Sequence, residues 1–571
     1  MTRMARLPVH PPERVRDYTA RGWWTDDTID ALLRARVAEL GDTPALVDPL
    51  NRAALVGGEP RTLTWTGVDD LVDRLAQVLL DEGVRAGDVV AVQLPNTVEI
   101  VAAFLAAARL GAVICPFPVQ YRDHEITELS TVAQVAALIT TERIGERRAA
   151  AEIDRLRAAI PSLRSVLSFG SDVPRGVVPL DERVAAANDR HALAAYVSGL
   201  RIDPNDCITI CWTSGTESTP KGVPRTHYDW LAMAVTTAEA PGLSADDVLL
   251  NPFPMVNMAG ISGMFLPWLR VGGLLVQHHP FDLPTFLRQI AQFRATYTVA
   301  PPALLTVLLH NEEVARSADL SSLRFVGSGS APLAPALLQG FSERYGIEVL
   351  NFYGSNEGVG LFAGPDDVPD PAERARSFPR YGVPGRTWSF RMADWTTIRV
   401  VDPTTGEEIT ESGRTGELRI KGPGVFPGYL PASGVADPFD GDGFLCSGDL
   451  VEIAGDEGQY LRYVDRIKDV VVRGGMKISA AEVEGYVAGH PAVADVAVVA
   501  VPDDVLGERA CAVVVPRSGA TVTLDDIVAH LRGLGIATFK LPESLVVVDA
   551  LPRNPLGKVL KRELRDRLSA G

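Results

Sequence analysis

The sequence predicts an α/β protein, with a large N-terminal domain of layered, parallel-rich sheets and a small C-terminal domain of the α+β class. Up to about residue 360, helix-like segments alternate with strand-like ones, as in DLVDRLAQVLLDEGV followed by DVVAVQLP. A strand-rich stretch at about 387–466 then predicts a small β subdomain. From about residue 467, a compact run of about 100 residues has its own order of helices and strands.

The N-terminal alternation contains one long apolar stretch, VAAFLAAARLGAVICPF at 101–117. It is interrupted by Arg109, Gly111 and Pro116 and is shorter than the roughly 20 residues of a membrane span, so we expect a buried helix followed by a strand. DLPTFLRQIAQFRA and TYTVAPP predict a further helix and strand. The Pro- and Gly-rich residues 364–386 are predicted to be loop.

Three segments of strand character predict the β subdomain: TTIRVVDPTTGEEI, GELRIKG and QYLRYVD. The C-terminal run reads in order as helix AAEVEGYVAGH, strands ADVAVVAVP and ACAVVVP, helix TLDDIVAHLRGLG and strand SLVVVDAL. The predicted domains are therefore residues 1–466, which include the β subdomain, and residues 467–571.

Composition excludes several classes of protein. The chain has 571 residues, 46% of them hydrophobic, and a formal net charge of −17, which argues against a general nucleic-acid binder. Its five cysteines form no CxxC motif, so we expect reduced thiols rather than a zinc site or a disulfide framework. The first residues lack the apolar core of a signal peptide, and the expected location is the cytoplasm.

A candidate phosphate-binding loop lies in CWTSGTESTPKGVPRTH, residues 211–227. It differs from the P-loop pattern GxxxxGK[ST], because Pro220 replaces the second glycine and Gly222 follows Lys221. A polar loop between the strand CITICWT and a helix is the alternative interpretation. The loop still offers hydroxyl and main-chain donors and one cation to a phosphate, at Thr213, Ser214, Gly215, Thr216 and Lys221.

The same run resembles the signature loop of the adenylate-forming superfamily, which includes acyl-CoA synthetases, aryl-acid ligases and luciferases. The usual form is close to TSGTTGxPKG, and here Glu217 and Ser218 replace Thr and Gly. Further similar motifs follow in the expected order: GSGSAPL at 327–333, NFYGSNEG at 351–358, GFLCSGDL at 443–450, DRIKDVVVRGGMKISAAEVE at 465–484 and NPLGKVLK at 554–561. DYTARGWW and PRTH look most like stand-alone aryl-acid and acyl- or aryl-CoA ligases.

The resemblance implies an ATP site. Glu357 is the expected Mg²⁺ carboxylate, and Asn356 stands where the superfamily has a threonine that contacts the α-phosphate. Asp449 is expected to accept hydrogen bonds from the ribose diol, unless it is only a turn residue in SGDL. The other implied ATP-binding residues are Ser330, Ala331, Tyr353, Gly354 and Arg466. Glu217 is expected to face solvent or to pair with Arg225.

The resemblance also implies a two-step cycle with a moving C-terminal domain. Lys558 is the expected catalytic cation at the α-phosphate and the attacking carboxylate. Lys468 matches the hinge about which the domain turns. The expected lining of a thiol tunnel is Arg473, Gly474 and Gly475, where glycines let a slender pantetheine arm approach the backbone.

NPFPMVNMAGISGMF, residues 251–265, matches the segment that lines the acid pocket. The His-Asn pair that is usual in hydroxybenzoate ligases is absent, so we expect an apolar acid. Gly358 and Gly360 are expected to leave further room. The predicted pocket residues are Met255, Asn257, Met258, Gly260, Gly329 and Gly358.

Three functions stay open from the sequence. The first is ATP-dependent activation of a hydrophobic carboxylic acid and its transfer to coenzyme A, with Mg²⁺. The second passes the adenylate to the phosphopantetheine thiol of a carrier protein. The third, an inactive acyl- or nucleotide-binding homologue, is opposed by the presence of Lys558, Asp449 and Glu357. A homodimer is left open, and neither a nucleic-acid partner nor a membrane span is expected.

Overall fold

The computed structural model describes residue 7 and residues 9–213, 221–329, 333–474, 476–503, 505–554 and 557–569. The chain forms two compact units. The first unit contains the described residues up to 397 together with 421–438, and the second contains 398–420 and the described residues from 439 onwards. The predicted boundary at residue 466 stays a prediction.

A seven-stranded sheet occupies part of the first unit. Its strands are parallel except for the last, which pairs antiparallel with its neighbour. Central strands such as Val89–Val92 are buried along their whole length, as expected for parallel strands covered on both faces. In spatial order the strands are Val178–Pro179, Ser165–Phe169, Val135–Thr141, Val89–Val92, Val113–Pro116, Cys207–Thr213 and Lys221–Thr226.

An eight-stranded sheet completes the large strand layers of the first unit. Its six central strands are parallel, and the two edge strands are antiparallel. In spatial order they are Gly360–Ala363, Glu348–Gly354, Phe325–Gly329, Tyr297–Val299, Val248–Asn251, Leu274–Gln277, Pro44–Val47 and Thr62–Thr64. The two parallel-rich sheets confirm the predicted fold class.

The largest core cluster joins residues of both sheets, such as Val90 and Leu275, to the helices Trp65–Asp81 and Val98–Leu110. The helix Val98–Leu110 is buried on every side and ends at Gly111, whose φ of 66° forms a left-handed cap. Its buried strand partner Val113–Pro116 confirms the interpretation of the long apolar stretch. No helix in the part of the chain that the structure describes is both long and apolar enough to cross a bilayer.

The remaining helices of the first unit cover the sheets and their edges. They are Pro12–Ala20, Ile29–Leu40, Arg52–Leu55, Asp123–Val132, Ala149–Leu156, Leu180–Ala186, His191–Gly199, His227–Glu239, Met258–Gly260, Leu266–Val271, Leu283–Phe293, Pro302–His310, Glu312–Ser317, Pro335–Tyr345, Pro371–Arg374 and Met392–Trp395. A π-helical turn spans Ile261–Phe265, and 3₁₀ turns span Arg157–Ala159 and Pro431–Ser433.

The second unit contains two groups of strands. The first is antiparallel and runs, in spatial order, Tyr460–Arg466, Leu445–Ala454, Thr415–Lys421, Thr397–Val401 and Glu408–Ile409. The second consists of Met476–Ile478, Val471–Arg473, Gly507–Pro516 and Val493–Asp503, with Ser544–Val547 added parallel to Gly507–Pro516. The helices are Ala480–Ala488, Leu524–Gly533 and Lys561–Ser569, with 3₁₀ turns at Ile467–Asp469 and Thr538–Lys540. These bounds match the predicted C-terminal order.

Two local predictions are wrong. Residues 364–386 are not loop throughout, because they contain the short helix Pro371–Arg374 and the short strand Ser377–Pro379. The candidate phosphate loop is not followed directly by a helix. The strand Lys221–Thr226 comes first, and the helix His227–Glu239 begins after it.

Candidate active site

The candidate phosphate loop is framed by a hairpin. The strands Cys207–Thr213 and Lys221–Thr226 are antiparallel, and Thr213 lies opposite Lys221. The pairing therefore brings together the two predicted residues at the ends of the loop. The intervening predictions, Ser214, Gly215 and Thr216, lie outside the described residues, as does Glu217.

The strand Lys221–Thr226 is held on its other side by residues 430–433. The Leu430 amide donates to the Gly222 carbonyl at 3.0 Å, and the Gly222 amide donates to Ser433 Oγ at 3.1 Å. A Cβ at Gly222 would lie 2.5 Å from Leu430 Cδ1, so the close approach requires glycine. These contacts add to the antiparallel pairing with Cys207–Thr213 that accompanies the extended backbone of the strand.

The predicted Mg²⁺ carboxylate lies on a tight turn. The strand Glu348–Gly354 carries Tyr353 and Gly354 to the turn, and Gly360–Ala363 returns antiparallel. The Gly358 amide donates to the Ser355 carbonyl at 3.1 Å, and Gly358 has a φ of 98°. A Cβ there would lie 2.0 Å from the Gly424 carbonyl oxygen. The expectation that Gly358 leaves room is therefore wrong, because backbone of the same unit fills that space.

The Glu357 carboxylate is oriented by an aromatic residue that the sequence analysis missed. Tyr429 Oη donates to Glu357 Oε1 at 2.8 Å, and Lys221 Nζ lies 5.3 Å from the centroid of the Tyr429 ring. The Phe426 amide donates to the Glu357 carbonyl at 2.9 Å. A lysine, a tyrosine and a carboxylate thus form one group, which we call the Lys221–Tyr429–Glu357 group. The only sequence signal for Tyr429 is an aromatic residue in a Pro- and Gly-rich segment, which is too common to single it out.

Asn356 connects this turn to the predicted acid segment. Its Oδ1 accepts from the Met258 amide at 2.8 Å. Its Nδ2 makes no hydrogen bond to another described residue, so it is the donor available for the predicted phosphate contact. A carboxamide can both accept and donate, and the threonine that it replaces has one hydroxyl for both tasks.

The predicted acid-pocket residues divide into core and partly exposed positions. Met255 is fully buried and belongs to the largest core cluster, and Met258 is half-buried against it. Asn257 Oδ1 caps the short helix by accepting from the amides of Ala259 and Gly260. A Cβ at Gly260 would lie 2.2 Å from the Pro254 carbonyl oxygen.

Two further glycines near the site serve packing. A Cβ at Gly329 would lie 2.1 Å from the Phe352 carbonyl oxygen, on the neighbouring strand. A Cβ at Gly360 would lie 2.8 Å from Met233 Cε, the end of a flexible side chain, so the expected room at this position stays a prediction. The neighbouring predictions for the adenine site, Ser330 and Ala331, lie outside the described residues. Tyr353 is half-buried in its strand, and its ring centroid lies 6.0 Å from that of Phe378.

The second unit brings together the predicted ribose residues. Asp449 and Arg466 face each other on paired antiparallel strands, and Arg466 Nε lies 3.0 Å from Asp449 Oδ1. Asp449 is buried inside the strand Leu445–Ala454, and its amide donates to Ser447 Oγ at 3.1 Å. The alternative that Asp449 is a turn residue is therefore wrong.

Lys558 belongs to the same unit and carries a perturbed charge. Its side chain is exposed to solvent in part, and the surrounding protein partly desolvates its ammonium group. This partial desolvation, together with the positive charges of Arg466 and Lys468, lowers the pKa of Lys558 to about 8. Its amide donates to Asn554 Oδ1 at 2.9 Å. Lys468, the predicted hinge, lies in the 3₁₀ turn Ile467–Asp469.

Arg473, predicted to line a thiol tunnel, is engaged within the second unit. Its Nε and Nη2 donate to the two carboxylate oxygens of Glu543 at 2.9 and 2.7 Å. Gly474 has a φ of 53°, and its amide donates to the Leu506 carbonyl at 2.7 Å. Gly475 lies outside the described residues. The tunnel stays a prediction.

Known proteins match the chain over nearly its whole length. The family model described as AMP-binding enzyme matches residues 33–430, and that described as AMP-binding enzyme C-terminal domain matches residues 482–558. The 3-[(3aS,4S,7aS)-7a-methyl-1,5-dioxo-octahydro-1H-inden-4-yl]propanoyl:CoA ligase of Mycobacterium tuberculosis is 33% identical, covering 94% of this chain and 98% of the relative. The salicylyl-CoA synthase / salicylate adenylyltransferase of a Streptomyces species is 32% identical, covering 99% and 98%. The crystal structure of ATP-bound MatB from Rhodopseudomonas palustris has a TM-score of 0.76 at 28% identity, covering 95% and 99%.

Proposed function

Because the chain belongs to the AMP-binding enzyme family, we propose that it joins a hydrophobic carboxylic acid to coenzyme A at the expense of ATP. In the first step a carboxylate oxygen attacks the α-phosphorus of ATP. A bond forms between them, the bond from that phosphorus to the bridging oxygen breaks, and pyrophosphate leaves. In the second step the thiol sulfur attacks the acyl carbon and AMP leaves.

The observation that carries this proposal is the pair of contacts made by the adjacent residues Asn356 and Glu357. Asn356 Oδ1 is bound to the Met258 amide of the predicted acid segment, and its neighbour Glu357 belongs to the Lys221–Tyr429–Glu357 group. Two adjacent side chains thus connect the place expected for the acid to the place expected for the triphosphate. Holding two reactants in fixed relative positions is the main requirement of this reaction, since both are anions.

The donor set fits a magnesium ion that arrives with its nucleotide. Among the described residues, no group of three or more His, Cys, Asp or Glu side chains could hold a metal alone. Mg²⁺ commonly binds through one or two carboxylates, substrate phosphates and water, and Glu357 supplies the carboxylate. Tyr429 binds only Oε1, so Oε2 is the oxygen we assign to the metal. When bound, the ion would offset negative charge on the phosphates.

Lys558 is the cation that we assign to the attacking step. With a pKa of about 8 it is protonated at neutral pH, and it carries the charge needed beside a carboxylate and an α-phosphate. The nearby Asp449–Arg466 pair supplies the carboxylate that we assign to the ribose. Arg466 and Lys468 repel the positive charge of Lys558, and a bound anion would offset this repulsion. The arrangement therefore favours binding of an anion beside Lys558.

We assign an apolar acid to the site. Two main-chain amides donate hydrogen bonds to the Asn257 carboxamide oxygen. Met258 is one of the partly exposed residues of the segment. A substrate hydroxyl left without a partner costs roughly 1–3 kcal/mol. The Mycobacterium tuberculosis relative is named for a bicyclic propanoyl group with a saturated carbon skeleton and two ketones, and the Streptomyces relative is named for salicylate.

The assigned acceptor is coenzyme A. Both relatives are named as CoA enzymes, and the second is also named as an adenylyltransferase. The thiol of a carrier protein is the alternative acceptor, because the first step is the same for both. Arg473 gives little help in choosing, since Glu543 already binds its guanidinium.

The test is an acid panel in ATP–pyrophosphate exchange, followed by a choice of acceptors. The panel contains straight-chain, alicyclic and aromatic acids, with benzoate and salicylate as a matched pair. Glu357→Gln serves as the inactive control. We expect exchange with apolar acids, benzoate at least equal to salicylate, and acyl-CoA detected by mass.

Strong preference for salicylate would contradict the acid assignment. Thioester on a carrier protein but none on CoA would contradict the acceptor assignment. Absence of exchange with every acid would contradict the proposed reaction itself.

A further inference from the structure

Arg225 is a fully buried arginine in the strand Lys221–Thr226, two residues before the helix His227–Glu239 begins. Its Nη1 donates to the Asn356 carbonyl at 2.7 Å, and its Nη2 donates to the Gly424 carbonyl at 2.8 Å. Its Nε donates to Asp229 Oδ1 at 2.6 Å. Glu217, which is expected to face solvent or to pair with Arg225, lies outside the described residues, so that expectation stays a prediction.

Side chains of the following helix and of the N-terminal segment also surround the Arg225 guanidinium group. Thr226 and Asp229 form a capping box at the start of the helix His227–Glu239, which fixes the carboxylate next to Arg225. The Arg225 guanidinium carbon lies 4.1 Å from the centroid of the Trp230 ring. His10 Nε2 lies 3.2 Å from Asp229 Oδ2 and completes the buried surroundings.

The two carbonyls that Arg225 binds flank the predicted magnesium carboxylate. Asn356 precedes Glu357 in the turn, and Gly424 begins the segment that carries Phe426 and Tyr429, both of which bind Glu357. The same segment is tied to the N-terminus by Trp24, whose Nε1 donates to the Pro423 carbonyl at 3.0 Å. One planar cation thus sets the spacing between the turn and the segment.

We propose that Arg225 is a positioning residue for the magnesium–triphosphate site, acting through the main chain of the Glu357 turn and of residues 424–429. This inference rests on the proposed function, which makes Glu357 the metal carboxylate. Lysine at position 225 would keep a positive charge beside Asp229. Its single ammonium group lacks the flat fork that reaches two carbonyls and a carboxylate together.

The experiment compares Arg225→Lys with Arg109→Lys. Arg109 is a matched control, since it is equally buried and is paired with Asp30, Asp69 and Asp73, none of which is a candidate site residue. For each variant we would measure thermal stability with and without MgATP, the Mg²⁺ midpoint of pyrophosphate exchange, and thioester formation from preformed acyl-adenylate.

Arg225→Lys is expected to raise the Mg²⁺ midpoint at least threefold and to lower kcat/KM for MgATP at least tenfold. The thermal shift caused by MgATP should shrink, and the thioester step, which needs no triphosphate, should change less than threefold. Arg109→Lys is expected to lower thermal stability while leaving the Mg²⁺ midpoint unchanged. Equal behaviour of the two variants would overturn the inference.

A second variant guards against misfolding. The double change Arg225→Met with Asp229→Asn removes both buried charges, so neither is left unpaired, and the asparagine keeps a side-chain oxygen for the Thr226 amide. It is expected to show the same loss of the MgATP thermal shift, and a normal shift would overturn the inference. This binding readout needs no turnover. A wild-type protein that binds MgATP but catalyses no exchange would therefore contradict the proposed function while still testing Arg225.

Discussion

Removal of the Tyr429 hydroxyl tests whether the Lys221–Tyr429–Glu357 group is the metal-binding part of the site. Tyr429→Phe keeps the ring beneath Lys221 and deletes only the hydroxyl that donates to Glu357 Oε1 at 2.8 Å. Both partners are half-buried, so the fold should tolerate the change. Without this contact the carboxylate can rotate away from the orientation that binds the metal.

The expected size of the effect follows from the chemistry of the lost bond. Hydrogen bonds to charged groups contribute about 1.5–3 kcal/mol, and partial exposure favours the lower end of that range. A loss of about 1.5 kcal/mol corresponds to roughly tenfold in an equilibrium constant. We therefore expect kcat/KM for MgATP to fall roughly tenfold, with partial recovery at high Mg²⁺, where mass action offsets weaker binding.

The assay is pyrophosphate exchange at several Mg²⁺ concentrations with the best acid of the panel. Tyr345→Phe is the matched control, because its hydroxyl donates to the Leu308 carbonyl at 2.6 Å, a neutral acceptor away from the candidate site. The control should keep wild-type exchange at every Mg²⁺ concentration. A Tyr429→Phe enzyme with an unchanged Mg²⁺ dependence would refute the role given to this group.

Four further predictions concern Lys558, Asp449 and Asn356. Lys558→Ala should nearly abolish adenylate formation while sparing thioester formation from preformed adenylate, and equal loss in both steps would contradict its assignment. In the wild type, kcat/KM for ATP should fall as the pH rises through about 8, because the lowered pKa removes the Lys558 charge there; Lys558→Arg should shift this limb upwards. Asp449→Asn should weaken ATP binding by about 1–3 kcal/mol, measured by calorimetry. Unchanged ATP affinity would mean that Asp449 pairs with Arg466 but does not bind the ribose. Asn356→Asp keeps an acceptor for the Met258 amide but loses the donor and adds negative charge, so kcat/KM for ATP should fall at least tenfold. Asn356→Gln, which keeps the donor, should lower kcat/KM less. Equal values of kcat/KM for the two variants would count against the phosphate contact.

Much of the fold could be predicted because its strands are apolar and continuous. Val89–Val92 and Val113–Pro116 are buried on both faces, and such runs stand out in a sequence. The strand Lys221–Thr226 could not be predicted in this way, since it contains Pro224 and Gly222. Its extended form accompanies antiparallel pairing with Cys207–Thr213, and residues 430–433, some 200 positions away in the chain, add contacts at Gly222.

The candidate site was predicted only as far as its motifs extend. Glu357, Asn356 and Asp449 were found because each stands in a recognisable motif, and the structure gives each a fixed partner. Tyr429 and Arg225 were not assigned their contacts, because hydrogen bonds across 72 and 131 positions leave no local pattern. Gly358 was misread, since a sequence does not distinguish a glycine that leaves space from one that admits neighbouring backbone.

The bond from Trp24 to Pro423 also has a consequence for the order of events during translation. It joins residues 399 positions apart, and Trp24 stacks on Tyr228 with ring centroids 4.6 Å apart. At a synthesis rate of about 5–20 residues per second, Pro423 is added roughly 20–80 s after Trp24. During that interval the N-terminal aromatic residues are made but their last partner is not. Trp24 therefore lacks this partner throughout that interval. The contacts between the Glu357 turn and residues 424–429 can form only after about three quarters of the chain has been synthesised.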